Sequence, residues 1–209
     1  MLLVAFGPIV PHSLGALFGG LAGPQSPPIT NAALLRSAAF EIAILILLAL
    51  FLRARGWTLQ RLGGGPSGED VPVGIGLAIG CYLGYFVLWN LTLALWPHVT
   101  EIARATRLIG GALHWPTMVL VSLVNPVFEE VLLCGYLVTV LRERIGVSAA
   151  VNVSAGLRVF CHFYQGALGV LGIVPMALLF AWWYARTSRL WPLILAHALM
   201  DLAGFALGR

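Results

Sequence analysis

Residues 125–137, NPVFEEVLLCGYL, place two adjacent glutamates, Glu129 and Glu130, inside an otherwise apolar run. The surrounding run is long and apolar enough to form a membrane helix. A charged side chain at membrane depth costs at least about 2.5 kcal/mol even on lenient insertion scales, so such a residue is by default a functional candidate. The stretch therefore predicts a membrane helix that carries a chemical site.

The composition of the whole chain also indicates a membrane protein. Of its 209 residues, 60% are hydrophobic and only 10% are charged, and the mean hydropathy is +0.94, which excludes an ordinary soluble domain. The basic residues are all arginines and cluster at segment ends, so they indicate topology and not nucleic-acid binding. We expect one integral membrane domain over residues 1–209, with the lipid bilayer as a partner.

Seven stretches approach the length of about 20 mostly apolar residues that a spanning helix needs. They are residues 2–22, 32–52, 73–96, 115–140, 147–164, 167–185 and 190–207. Between the third and fourth stretches, residues 97–116 alternate apolar and charged side chains at roughly helical spacing, which indicates an amphipathic helix on the membrane surface. The predicted fold class is all-α, a polytopic transmembrane helix bundle with seven segments and one interfacial helix.

The arginines predict an orientation. If the segments alternate in direction, one side of the membrane holds Arg53, Arg55, Arg61, Arg142, Arg144, Arg186 and Arg189, and the other holds Arg104, Arg107 and Arg209. The positive-inside rule then places the first group in the cytoplasm. The preference for Arg, Ala, Gly and Leu suggests a GC-rich prokaryotic genome, so the expected location is a prokaryotic cytoplasmic membrane.

Three more ionisable residues lie in later apolar segments: His162, His197 and Asp201. Residues four apart share a helix face, so Asp201 can orient the ring of His197. The side chains of Glu129 and Glu130 point in directions about 100° apart around the helix axis, so we expect them to have different roles.

A carboxylate flanked by histidines can activate water for attack on an amide carbonyl, with a histidine or arginine donor stabilising the oxyanion. Zinc held by His162, His197 and Glu129 would activate water by a different route. The sequence contains no HExxH motif, however, so we expect no metal and no other cofactor. Both routes predict hydrolysis.

Three stretches resemble, in order and spacing, the motifs EExxxR, FxxxH and HxxxN or HxxxD of the CAAX prenyl protease and bacteriocin-processing family. They are EEVLLCGYL (129–137), RVFCHFYQG (158–166) and LILAHALMDL (193–202), and the resemblance covers about residues 115–207. It implies a membrane-embedded glutamate endopeptidase in which Glu129 or Glu130 activates water. His162 and His197, with Asp201, would bind the carbonyl oxygen or orient other groups.

Two positions depart from these motifs. Cys134 replaces the arginine of the first motif, and Arg158 replaces the phenylalanine of the second. An arginine four residues after Glu130 would lie on the same helix face and stabilise the negative charge of Glu130. Because Arg158 lies one turn before His162, we expect it to return a guanidinium to the glutamates from the neighbouring helix.

The sequence thus predicts an intramembrane endopeptidase acting on a membrane-associated or prenylated-type protein or peptide. One alternative, favoured by the lost arginine, is an inactive relative that serves as a peptide-binding, immunity or scaffold protein. A small transporter with a proton relay is another, although no internal repeat is visible. Cys134 as a thiol nucleophile is disfavoured, because a cysteine in an apolar helix is usually inert. Glu41 either pairs with Arg36 or faces the cavity.

Overall fold

The computed structural model describes residues 2–8, 10–18, 29–100 and 112–207, and these ranges are almost entirely helical. The main helices in them are α1 (Leu2–Phe6), α2 (Val10–Phe18), α3 (Asn31–Ala54), α4 (Asp70–Leu95), α5 (Trp115–Ile145), α6 (Val147–Cys161), α7 (Gly166–Thr187) and α8 (Trp191–Leu207). Short 3₁₀ turns occupy Gln60–Leu62 and Phe163–Gln165. The predicted all-α class is confirmed.

Within the described ranges, four helices are long and apolar enough to cross a membrane, namely α3, α4, α5 and the part of α7 from Leu168 to Thr187. Helices α6 and α8 are apolar but shorter, at 15 and 17 residues. The predicted segment 2–22 is not one continuous helix. It forms two short helices on either side of Pro8, since proline removes a backbone donor and disfavours the helical conformation of the residue before it.

The predicted count of seven spans is therefore not confirmed. Residues 19–22, most of the predicted interfacial helix, and Arg104, Arg107 and Arg209 lie outside the described residues.

The outer faces of α3 and α4 are strongly apolar. Large side chains such as Ile46, Leu50, Leu83 and Phe86 are more than half exposed. Exposed apolar surface on this scale is unusual for a soluble monomer, whereas lipid chains cover it in a bilayer. Together with the four spanning helices, these faces define an integral membrane protein.

Helix α5 is the central element of the bundle. In its most apolar stretch 61% of the residues are buried, compared with 22% in α3 and α4. One side of α5 packs with α1 and α3 through Phe128 and Leu133, and the other packs with α7 and α8 through Val138. Any polar side chain near the middle of α5 is therefore enclosed by protein and shielded from lipid.

Glycines let the neighbouring helices approach α4 closely. A Cβ atom on Gly74 would lie 2.9 Å from the carbonyl oxygen of Pro192, and one on Gly84 would lie 2.8 Å from Cβ of Pro175. Small residues at such contacts allow helix backbones to pack tightly in membranes. Helices α7 and α8 are thus held against α4, with the inner face of α8 directed towards α5.

The arginine-rich end of the bundle comprises the helix ends and loops at residues 53–70, 142–147 and 186–191. Here Arg142 Nη1 donates to Ser188 Oγ at 2.8 Å, and Arg189 Nη2 donates to Asp70 Oδ1 at 2.6 Å. At the other end, Asn31 Nδ2 donates to the carbonyl of Ala112 at 3.0 Å. The predicted alternation of segments from α3 to α8 agrees with these contacts.

Candidate active site

The two glutamates lie where the backbone geometry of α5 changes. The helix is α-helical over Trp115–Glu129, π-helical over Glu130–Val138 and α-helical again from Thr139. A π-turn is wider than an α-turn and often occurs at functional sites. In this geometry Cys134 Sγ lies 3.3 Å from Glu130 Oε2 and donates to it.

Glu130 is fully buried, and its two oxygens meet several donors. Arg158 Nη1 donates to Oε1 at 2.6 Å, and Arg158 Nη2 donates to Oε2 at 2.7 Å. His197 Nδ1 contacts Oε1 at 2.7 Å. With the Cys134 thiol, these contacts match the roughly four lone-pair sites of a carboxylate. Glu130 therefore organises its neighbours as a hydrogen-bond acceptor, and its lone pairs are already occupied.

Arg158 supplies the guanidinium that the sequence analysis expected from α6. Its side chain is 1% exposed, and besides its two-pronged contact with Glu130 it lies 3.5 Å from Glu129 Oε2. Its guanidinium also lies 5.7 Å from the centre of the Phe180 ring, within cation–π range. A buried charge is tolerated when it is paired and hydrogen-bonded, which explains an arginine at this depth.

His162 lies at the level of the glutamates. Helix α6 runs back along α5 from the turn at Gly146 and ends at Cys161, so it is only about 22 Å long. Its end therefore falls beside the middle of α5. His162 Nδ1 donates to the carbonyl of Arg158 at 2.8 Å, which leaves Nε2 facing Glu129 Oε1 at 3.7 Å.

The sequence predicted that α6 continues to residue 164, which would carry His162 to a shallower depth. Instead, the chain leaves α6 through the 3₁₀ turn Phe163–Gln165. Gly166 then adopts a φ of +81°, a conformation that favours glycine, and α7 begins.

His197 and Asp201 lie one turn apart on α8, as their spacing predicted. The distance from His197 Nε2 to Asp201 Oδ1 is 3.6 Å, which allows an ion pair but exceeds an ordinary hydrogen bond. The short contact of the ring is with Glu130 through Nδ1, and Phe180 packs edge-on against it at 6.3 Å between ring centres. Glu130 is therefore the closer orienting partner of His197.

A cavity of about 1200 Å³ lies beside this cluster. Glu129, His162, His197 and Asp201 contribute to its wall, whereas Glu130, Arg158 and Cys134 lie behind the wall. The five residues predicted to carry chemistry are thus brought together, but only four of them reach the cavity. Cys134 is fully buried away from it, so its thiol is not positioned to attack a substrate.

Among the described residues, Glu129, Glu130 and His197 form a group of possible metal ligands whose donor atoms lie within 4.8 Å of one another. In the set considered from the sequence, His162 takes the place of Glu130. In either set a cation would lie beside the Arg158 guanidinium, which already pairs with Glu130. Charge repulsion makes this donor set a poor fit for zinc.

Sequence reasoning missed several polar residues of the cavity wall, Asn125 and Ser37 among them, and left Glu41 undecided. Asn125 lines the wall one turn before Glu129, a spacing that could have identified it, and Ser37 lies in a different helix with no motif around it. Glu41 also lines the cavity, which decides between the two alternatives considered for it. Its hydrogen-bond partner is Ser37 and not Arg36.

The fold and this site define a helical membrane protein with a buried arginine–carboxylate–histidine cluster that faces a cavity. A family model described as "Type II CAAX prenyl endopeptidase Rce1-like" matches residues 111–203, which include the whole cluster. Over these residues the chain is similar to that family of CAAX-type proteases, in agreement with the resemblance found in the sequence. Comparisons with curated proteins and with solved structures gave no match.

Proposed function

We propose that this protein is an intramembrane endopeptidase in which Glu129 activates a water molecule to hydrolyse a peptide bond. The observation that carries this proposal is the unequal surroundings of the two glutamates. Glu130 meets Arg158, His197 and Cys134, whereas Glu129 faces the cavity. A general base needs a free acceptor that a water can reach.

In the proposed reaction, Glu129 takes a proton from water while the water oxygen attacks the substrate carbonyl carbon. The carbonyl oxygen becomes an oxyanion, which donors in the cavity wall stabilise. When the tetrahedral intermediate collapses, the C–N bond breaks and the proton held by Glu129 passes to the leaving nitrogen. The products are a carboxylic acid and an amine, and the glutamate is regenerated.

The two histidines are the proposed donors to the oxyanion. His162 Nε2 points towards Glu129, because Nδ1 is held by the carbonyl of Arg158. His197 is fixed by Glu130 through Nδ1, so its Nε2 is directed towards Asp201 and the cavity. Because Nδ1 of each ring already faces an acceptor oxygen, donation from Nε2 to the oxyanion requires the imidazolium form of that ring.

The substrate is proposed to be a membrane-associated peptide or protein, because the reaction needs both a bilayer location and a cavity that admits water. We propose that residues 1–209 form one membrane domain, located in a prokaryotic cytoplasmic membrane. A prenylated-type substrate agrees with the family description of residues 111–203.

A peptide library incubated with the purified protein in detergent tests this proposal. We expect wild-type cleavage, a loss of about 10²–10⁴-fold in kcat for Glu129→Gln, and no effect of a chelator. Glu143→Gln is the matched control, because Glu143 is about half exposed and pairs with Arg61 at the arginine-rich end. Full activity of a folded Glu129→Gln variant would contradict the role of Glu129, and a loss of activity with chelator would favour metal-activated water.

The alternative of an inactive peptide-binding relative rested on Cys134 in place of the motif arginine. Arg158 now meets Glu130 from α6, which weakens that argument. The same experiment separates the two functions, because a binding protein would retain peptide but release no products. Absence of cleavage over the whole library by a protein that still binds peptide would therefore favour the alternative.

A further inference from the structure

Glu41 is a buried carboxylate that the proposed mechanism does not use. It lies on α3, outside the part of the chain that matches the protease family, and is 6% exposed. Its Oε1 accepts a hydrogen bond from Ser37 Oγ at 2.9 Å, whereas the buried Oε2 has no hydrogen-bond partner among the described residues. An unsatisfied buried oxygen is costly, so its retention calls for an explanation.

The unpartnered oxygen belongs to the wall of the catalytic cavity. The described lining residues include three acids, Glu41, Glu129 and Asp201, and two histidines, His162 and His197, but no arginine or lysine. Arg158 lies behind the wall and is paired with Glu130. A cavity lined by carboxylates, with its nearest arginine neutralised, attracts positive charge.

Arg36 is poorly placed to neutralise Glu41. The two residues are five positions apart on α3, which separates their side chains by about 140° around the helix. Arg36 is accordingly exposed on the outside of the bundle, while Glu41 is buried. Among the described residues, Glu41 forms no ion pair with an arginine.

We propose that Glu41 is a specificity residue that binds a lysine or arginine side chain of the substrate peptide. This inference rests on the proposed peptidase function. An N–H donated by the basic side chain would satisfy Oε2, while Ser37 continues to hold Oε1. Hydrogen bonds between a carboxylate and a cationic donor are among the strongest in proteins.

The helix positions indicate how far this contact lies from the scissile bond. Helices α3 and α5 start at the same end, where Asn31 bonds to the carbonyl of Ala112. Glu41 lies about 15 Å along α3 and Glu129 about 21 Å along α5, so they differ in depth by about 6 Å. Extended peptide advances about 3.3 Å per residue, which places the basic residue roughly two positions from the cleaved bond.

Matched peptides test the proposal. Peptides selected from the library are made with Lys, or with neutral Gln, at each position within three residues of the cleaved bond. We expect wild-type kcat/KM to be about tenfold or more higher for Lys at one of these positions, the size of one hydrogen bond to a charged group. In Glu41→Gln the ratio of kcat/KM for the Lys peptide to kcat/KM for the Gln peptide should fall close to one. Glu41→Asp should retain part of the preference for Lys.

Glu69→Gln is the control, because its side chain is 88% exposed at the arginine-rich end, and it should keep the full preference. Either no preference for Lys in the wild type or an unchanged preference in a folded Glu41→Gln variant would overturn the proposal.

Binding measurements distinguish failure of the peptidase proposal from failure of the proposed role of Glu41. If the wild type cleaves no peptide, fluorescence anisotropy with labelled Lys and Gln peptides measures affinity directly. Tenfold tighter binding of the Lys peptide that is lost in Glu41→Gln would support the role of Glu41 without catalysis. Equal affinity of the two peptides would overturn it.

Discussion

Glu129 and Glu130 are identical side chains on adjacent residues, and their neighbours give them different properties. Glu130 is surrounded by donors from α5, α6 and α8, whereas Glu129 has one contact with Arg158 at 3.5 Å and one with His162 at 3.7 Å. Glu130 therefore organises the three helices, and Glu129 remains free for chemistry. Substitution of each by glutamine should separate these two roles.

Glu130→Gln is expected to destabilise the protein. The substitution leaves Arg158 with only its longer contact to Glu129, and removing one partner of a buried ion pair costs about 3–5 kcal/mol. Thermal unfolding in detergent, followed by circular dichroism, measures the change. Glu143→Gln removes the exposed pair with Arg61 and should cost at most about 1 kcal/mol. Equal stability of the two variants would show that Glu130 does not hold the helices together.

Exchanging the two positions that depart from the family motifs tests whether Arg158 replaces the missing arginine. Cys134→Arg alone forces a second guanidinium into a fully buried position, and Arg158→Phe alone leaves Glu130 without a cation. We expect each single variant to lose stability and peptide cleavage. The double variant should recover both, because one guanidinium again faces Glu130. Purely additive losses in cleavage and unfolding temperature would refute the exchange.

At the scale of helices, hydrophobicity and motif spacing predicted much of the structure. Long apolar runs predicted helices α3, α4, α5, α7 and α8. Helical spacing predicted that His197 and Asp201 lie on the same face of α8. The π-helical segment of α5 could not be predicted, because no local composition distinguishes it from an α-helix. The early end of α6 was missed because the apolar residues continue beyond Cys161.

The site could be predicted in part. Three motifs in one order predicted that the glutamates, histidines and Asp201 would meet, and the helices bring them together. Which glutamate is free depends on the rotation of three helices about their axes, so it required the structure. The position of Glu41 against the cavity likewise depends on how α3 packs on α5, which no motif encodes.

The contact between α4 and α8 gives a prediction with an internal control. A Cβ on Gly74 would lie 2.9 Å from the carbonyl oxygen of Pro192, whereas one on Gly76 would meet nothing within 4 Å. Gly74→Ala should therefore cost about 1–3 kcal/mol through overpacking. Gly76→Ala should be neutral or slightly stabilising, because alanine favours the helix. Thermal unfolding in detergent compares the two, and equal effects would contradict the close contact.

For the molecule as a whole, the cavity and the arginine-rich end lie at opposite ends of the bundle. The cavity wall includes Ile29 and Leu113, which lie next to the ends of α3 and α5 opposite the arginines. The described lining contains no residue of the arginine-rich end. If the arginines face the cytoplasm, as the positive-inside rule predicts, substrates enter from the extracytoplasmic side.

Labelling of introduced cysteines in intact bacterial cells tests this orientation. Gly65→Cys lies in the arginine-rich loop and Ala94→Cys near the other end of α4, and both positions are exposed. A membrane-impermeant maleimide should label Ala94→Cys in intact cells and Gly65→Cys only after permeabilisation. The wild-type chain gives the background, because Cys81, Cys134 and Cys161 are all buried.

The labelling result also constrains the substrate. With the predicted orientation, Glu129 is reached from outside the cytoplasm, so an exported peptide or an extracytoplasmic segment of a membrane protein fits the cavity better than a cytoplasmic prenylated tail. The reverse labelling pattern would contradict the orientation and favour the cytoplasmic tail. In both cases Glu41 would meet the peptide about 6 Å before Glu129, because that order depends on the packing of α3 against α5.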